Sequence, residues 1–209
     1  MSRKGRAQAM LEARNLTLWR GETCLFDRLS LHVPAGSVLL VRGPNGVGKT
    51  TLLRVLCGLT RPESGQVLWE GRDDPLTCRR LVAYGGHQSA LKADLTVRQN
   101  LRFYRRLVGD AADESRLLEL LSLSRCADLE ARHLSAGQRR RAGLARILVS
   151  GRPAWLLDEP FTNMDSDGRR LLEARITSHV VAGGIAVVVA HDEVRLSGIR
   201  VETLNMADS

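Results

Sequence analysis

The sequence predicts an α/β protein with a parallel core sheet, a small antiparallel β piece and a mostly helical insert. Three observations lead there. Residues 37–41 form a short apolar run of buried-strand type that feeds a glycine-rich loop at 43–50 and then a helix from about Lys49. Ahead of that unit, residues 10–19 partly alternate apolar and polar, and residues 24–32 read as a second strand. Beyond it, from residue 96 to about 129, the apolar positions take helical spacing. Strands that look antiparallel, followed by a strand–loop–helix unit, are not the pattern of a plain doubly wound sheet.

In chain order, Gly21 and Glu22 turn the first strand into the second, and Val33, Pro34, Ala35 and Gly36 break the chain before the strand that enters the loop. The first helix stops at Cys57 and Gly58, a fitting glycine cap. A turn at 62–65 leads into a strand at 66–69, Glu70 and Gly71 turn again, and 81–85 is a further short strand ending in Gly86, His87 and Gln88. Thr96 suits an N-cap, with Val97, Leu101, Tyr104 and Val108 along one face, and residues 113–121 repeat the helical pattern. Arg98, Arg102, Arg105 and Arg106 read as the solvated face of this stretch, with a docking surface for a partner as the alternative. The basic run Arg139, Arg140 and Arg141 then opens an Ala/Leu-rich helix that ends near Ser150. Residues 153–157 are an apolar strand delivering Asp158 and Glu159 at its C-terminal end, where open parallel sheets bind ligands. A helix follows Asp165, a β-branched strand at 185–190 ends at His191, and the chain closes on a short strand and a frayed end.

A chain of 209 residues can bury a proper core, and we divide it into a basic tail at 1–9 and a single domain at 10–209, its helical part at about 89–150. The most apolar run, 180–190, is about half the roughly 20 residues needed to span a bilayer. The basic N-terminus has no apolar segment behind it, so a secretory signal is not expected and the product should stay in the cytoplasm unless a partner holds it elsewhere. Cys24, Cys57, Cys78 and Cys126 are scattered without metal-ligand spacing and read as reduced structural thiols. A net charge of +8 implies an acidic neighbour: nucleic acid, anionic lipid or an acidic protein face. Aromatic residues at 4% argue against a platform that stacks single-stranded bases.

The loop carries the chemistry. Gly43, Pro44, Asn45, Gly46, Val47, Gly48, Lys49 and Thr50 fit the phosphate-binding pattern G-x-x-x-x-G-K-[ST]. The glycines let successive N–H groups curl inward around phosphate oxygens, and the helix that follows presents its positive end. Lys49 would reach the β- and γ-phosphates, Thr50 would place its hydroxyl on Mg²⁺, and Thr51 continues the helix beside them. With Gly near 7% of residues, a chance match is on the order of 1%. The stretch is therefore read as a nucleotide site and not as an ordinary glycine turn.

The loop, Gln88, the run Leu134, Ser135, Ala136, Gly137 and Gln138, the pair Asp158 and Glu159, and His191 occur in the order of the ATP-binding subunits of ABC transporters, which the chain resembles from about residue 10 to 205. The resemblance implies a P-loop ABC-type ATPase binding ATP and Mg²⁺. It implies Asp158 as the carboxylate holding Mg²⁺ and Glu159 as the general base for the attacking water. Gln88 would sense Mg²⁺ and the γ-phosphate, and His191 would contact the γ-phosphate. Residues 134–138 resemble the signature L-S-G-G-Q, with Ala136 for the first glycine, and would cap the nucleotide of the opposite subunit in a head-to-tail dimer. Residues 162–165 resemble the loop that follows, of which Asp165 alone matches. Where the family stacks adenine on an aromatic side chain, this sequence has Arg20 with Trp19 adjacent; either could stack on the base.

Within the family, residues 95–104, 134–141, 155–162 and 183–185 are similar to the cytochrome c maturation branch, also called haem exporters. That branch implies a peripheral subunit on the cytoplasmic face of the bacterial inner membrane, bound to multispanning partners, whose turnover releases a haem-loaded periplasmic chaperone. The chaperone would be an indirect partner and nucleic acid would not be one. Two alternatives stay open: the ATPase subunit of another importer or exporter, and a soluble ABC ATPase acting on nucleic acid or the ribosome.

Overall fold

The computed structural model describes residues 9–109 and 114–208. Apart from Ala9, with which the first strand begins, the basic tail expected at 1–9 lies outside these residues, as does Asp113. Among the described residues no helix is long and apolar enough to cross a membrane.

Two sheets form. Strands β1 (Ala9–Arg20), β2 (Thr23–Pro34) and β4 (Ser64–Trp69) make an antiparallel sheet in the order β2-β1-β4. The core sheet is parallel, in the order β5-β6-β7-β3-β8, from β3 (Ser37–Arg42), β5 (Val82–Gly85), β6 (Ala154–Asp158), β7 (Ile185–Val189) and β8 (Arg200–Asn205). Its central strands are continuous apolar runs because both faces are covered. Strand alternation then divides each run between two cores. Leu39, Val41, Leu156, Val187 and Val189 face α1 (Lys49–Leu56) and the antiparallel sheet. Val38, Leu40, Trp155, Leu157, Ala186 and Val188 face α5 (Ala136–Leu148) and α6 (Ser166–Val181). A third core joins α3 (Val97–Leu107), α4 (Ser115–Leu120) and α5 through Val97, Leu101, Leu117, Leu121, Ala142 and Ala145. Helix α5 therefore belongs to both the sheet layer and the helical layer.

Several sequence expectations need correction. A helix, α2 (Pro75–Leu81), stands where none was expected; Asp74 caps it by accepting from Thr77 N at 2.8 Å, and Pro75 sits at its first position. The break expected at 33–36 is narrower, since Val33 and Pro34 still pair in β2 and only Ala35 and Gly36 turn. The helical stretch from 96 is divided: α3 ends at Leu107 and α4 at Leu120, and short 3₁₀ turns follow. Thr96 does cap α3, in a reciprocal capping box with Gln99. Of the four arginines read as solvated, Arg105 is buried, and Arg98 pairs with Asp128 at 3.0 Å. The chain end is not frayed at Met206, which is 1% exposed and packs into the core beside β3.

Candidate nucleotide site

The loop between β3 and α1 has the backbone its glycines predict. Gly43, Gly46 and Gly48 take φ values of 145, 83 and 104°, a region open to glycine and strained for other residues. Gly48 is the N-cap of α1 and has no side chain to occupy the helix's first N–H groups, which are left for an anion. Lys49 is buried, and its Nζ donates to the carbonyls of Gly43 at 2.9 Å and Pro44 at 2.7 Å. Its charge is held over the mouth of the loop. Val47 packs inward against the core while Asn45, Gly46, Gly48, Lys49, Thr50 and Thr51 line a cleft of about 360 Å³.

That cleft is closed on its far sides by Glu159 and by Arg20, Thr23 and Leu25 of the β1–β2 hairpin. Arg20, and not Trp19, is on its wall; Trp19 is 46% exposed elsewhere on β1. The pairing of Trp19 with Cys24 and of Arg20 with Thr23 puts the two side chains on opposite faces of the hairpin.

Thr50 Oγ1 donates to Asp158 Oδ1 at 3.1 Å, joining the loop helix to the end of β6. Asp158 is 1% exposed, and its Oδ2 has no hydrogen-bond partner. Burial pushes this carboxyl above its ordinary value, and the Thr50 hydrogen bond only partly opposes that. A buried carboxylate oxygen without a partner, beside a threonine hydroxyl at a phosphate loop, suits Mg²⁺. Among the described residues no group of three His, Cys, Asp or Glu side chains could hold a metal. An ion bound by one or two protein oxygens and completed by phosphates and water is the habit of Mg²⁺.

Glu159 has φ +49°, which aims its side chain away from the strand and toward the loop after β7. There its Oε1 lies 3.0 Å from His191 Nε2, while Oε2 lies 4.0 Å from His87 Nδ1. Burial pushes the Glu159 carboxyl up, but the His191 hydrogen bond, with the charges of His191, His87 and Lys49, outweighs it and holds the group below its ordinary value. His87 was not singled out by sequence reasoning. It reaches the site only because the loop after β5 folds beside the end of β6, and its one local signal is its place next to Gln88.

Two more of the expected residues, Gln88 and Ala136, line a second cleft of about 320 Å³, together with His87, Ser89, Arg139, Arg140, Thr162 and Asn163. Gln88 lines this cleft and not the one around the phosphate loop. Ser135 is the N-cap of α5, accepting from Gln138 N at 3.2 Å while Gln138 Oε1 accepts from Ser135 N at 2.9 Å. Ala136 is the first residue of that helix and is not among the residues with positive φ, so its Cβ causes no strain where the signature usually has glycine. Leu134 is buried and anchors the run, and Gly137 lies in the first turn. No residue of 134–138 lines the chain's own phosphate-loop cleft. Asp165 caps α6 by accepting from Gly168 N at 2.8 Å.

A family model described as ABC transporter matches residues 26–162, well over half the chain. The chain belongs to the ABC transporter family, as an ATP-binding subunit. Its relatives include proteins named "Cytochrome c biogenesis ATP-binding export protein CcmA". The one from Aromatoleum aromaticum is 44% identical, covering 88% of this chain and 89% of its own. The one from Vibrio cholerae is 38% identical over 95% of this chain and 99% of its own. That of Xanthomonas axonopodis pv. citri is 42% identical over 96% and 95%. Two solved ABC ATP-binding proteins share the fold. One, an "ATP binding subunit of ABC transporter", superposes with a TM-score of 0.77 at 24% identity, over 87% of this chain and 79% of its own. The other, a putative ABC transporter ATP-binding protein from Pyrococcus furiosus, superposes at 0.81 with 23% identity, over 95% and 98%.

Proposed function

We propose that the chain is the ATP-hydrolysing subunit of a membrane ABC complex for cytochrome c maturation, acting as a head-to-tail dimer on the cytoplasmic face of the inner membrane. The observation that carries the ATPase part is the meeting of Thr50, Asp158, Glu159 and His191 beside one phosphate loop. The loop N–H groups and Lys49 bind the β- and γ-phosphates. Thr50 and Asp158 would hold Mg²⁺, with Gln88 as the sensor of the ion and the γ-phosphate, and the bound ion would supply charge neutralisation for phosphoryl transfer. Glu159, already ionised, orients and deprotonates the attacking water, and His191 fixes that carboxylate and reaches the γ-phosphate. The signature run, absent from its own chain's cleft, serves the nucleotide of a second copy.

The pathway is carried by the relatives, whose names refer to cytochrome c biogenesis. Turnover would drive release of the haem-loaded chaperone through multispanning partners. Affinity purification from membranes of wild type and Glu159→Gln tests this. Multispanning maturation proteins should copurify, with haem-loaded chaperone accumulating in the variant. Recovery of an unrelated permease would leave the ATPase and remove the haem pathway. Recovery with ribosomes or nucleic acid, lost at higher salt, would point to the +8 charge as the functional feature.

For the base, Arg20 is the stacking group. Loss of a guanidinium–adenine stack should weaken ATP binding by about 3- to 30-fold in Arg20→Ala, while Trp19→Ala stays within about twofold. Titration with a fluorescent ATP analogue reads both, and the reverse order would return the role to Trp19.

A further inference from the structure

We propose that Arg140 is a positioning residue: its guanidinium locks the backbone that aims Glu159 and the backbone that carries Gln88 onto the helix that carries the signature. The inference rests on the ATPase reading above. A guanidinium has five N–H donors in a rigid plane. In Arg140 each meets a main-chain carbonyl. Nη2 donates to Asp158 O and Glu159 O, both at 2.6 Å; Nη1 donates to His87 O at 2.7 Å and Gly86 O at 3.2 Å; Nε donates to Pro160 O at 3.3 Å. No donor is left for a carboxylate. The side chain thus binds two loops, one after β5 and one after β6, and binds them by their backbone.

Two further observations agree. Glu159 needs its left-handed backbone to face His191, and that conformation is held on both sides, by Glu159 N donating to Val189 O at 3.1 Å and by Arg140 at its carbonyl. One helical turn beyond Arg140, Gly143 lies so close to the loop after β5 that a Cβ there would meet Ser89 O and Cβ at 2.8 Å. Helix α5 is thereby pressed onto residues 86–89, which is what lets Arg140 reach their carbonyls. The neighbours in the basic run do other work: Arg139 is exposed and donates to Leu134 O at 3.1 Å, and Arg141 lies 3.8 Å from Asp165. A motion of the signature helix must therefore be felt at the catalytic carboxylate and at Gln88 through one side chain.

Lysine cannot replace it, because an ammonium offers three donors from one point. The test is Mg²⁺-ATP turnover, fluorescent ATP-analogue binding and melting temperature of the full chain as wild type, Arg140→Lys, Arg140→Met and Arg140→Ala. Because a misplacement near 1 Å at a catalytic group can cost about 100-fold, kcat should fall by about 10- to 100-fold in Lys and Met alike, with KM and analogue affinity within about threefold. Methylguanidinium should restore part of the lost kcat to Arg140→Ala. Should the methionine variant not fold, the lysine variant carries the kcat-against-KM split. Wild-type kcat in Arg140→Lys would overturn the proposal. So would a joint fall of kcat, nucleotide affinity and melting temperature with no rescue, which marks a merely structural arginine. A wild type that neither binds the analogue nor turns over Mg²⁺-ATP would instead remove the ATPase reading, and this inference with it.

Discussion

Glu159→Gln should bind ATP as well as wild type and turn it over about 10²- to 10⁴-fold more slowly, the usual weight of a general base. The substitution is nearly isosteric. A glutamine oxygen can still face His191, and the left-handed backbone is held by Val189 and Arg140, so the geometry at 3.0 Å from His191 survives while the negative charge is lost. Nucleotide binding rests on the loop N–H groups and Lys49, which the change leaves intact. Steady-state phosphate release and analogue binding measure the two halves separately; turnover within tenfold of wild type would falsify the role. The pH profile adds a second reading. The folded Glu159 carboxyl lies below its ordinary value of 4.5. A depressed acid contributes stability above its unfolded value and loses it only as pH falls through the folded one. Glu159 is thus charged throughout the neutral range, and it should contribute no acid limb to turnover above about pH 5. Such a limb, if found to vanish in Glu159→Gln, would show that the carboxyl titrates higher than its surroundings imply.

What could be read from the sequence, and what could not, divides along the range of the interactions. The phosphate loop, the strand delivering Asp158 and the strand ending at His191 were legible because their signals are local: a glycine spacing, an apolar run, a polar residue at its end. The cap Thr96 was legible for the same reason, whereas Ser135 as the cap of α5 was not read from the sequence. Helix α2 escaped although Asp74 and Pro75 announce it, because one short helix has too few turns to show a period. Arg140 and Arg105 were hidden for a deeper reason. A basic run looks solvated unless something neutral and polar covers it, and the carbonyls that take up Arg140 come from residues 86, 87 and 158–160, far apart in the chain. Ala136, where the signature usually has glycine, is a similar case. Only the structure shows that this position is the start of a helix, where a Cβ is at ease, and not a turn that demands glycine.

Asp158→Asn should abolish turnover and, at neutral pH, raise the melting temperature of the nucleotide-free protein by a few degrees. The two effects have one cause. Asp158 is buried with Oδ2 unpartnered, an arrangement that penalises the ionised carboxylate unless a cation is bound. An amide in the same place still has an unpartnered polar atom but no charge to desolvate, and a difference of roughly 1 kcal/mol moves a domain of this size by about 2–4 °C. Asparagine can keep its oxygen toward the Thr50 hydroxyl, which donates at 3.1 Å, while removing the charge. The sign with pH follows from the raised carboxyl. The folded state holds this proton more tightly than the unfolded chain, whose value is near the ordinary 3.8, so the penalty is complete above the folded value and fades as pH falls toward the unfolded one. The stability gain of Asp158→Asn should therefore be largest at neutral pH and shrink in acid. Wild type should be stabilised more by Mg²⁺ with ATP than by ATP alone, and Asp158→Asn should lose that increment. Scanning calorimetry of both proteins, with and without Mg²⁺-ATP at two pH values, reads every one of these differences. A variant less stable than wild type at neutral pH would mean that Oδ2 has a favourable partner and that the site is not strained for a metal.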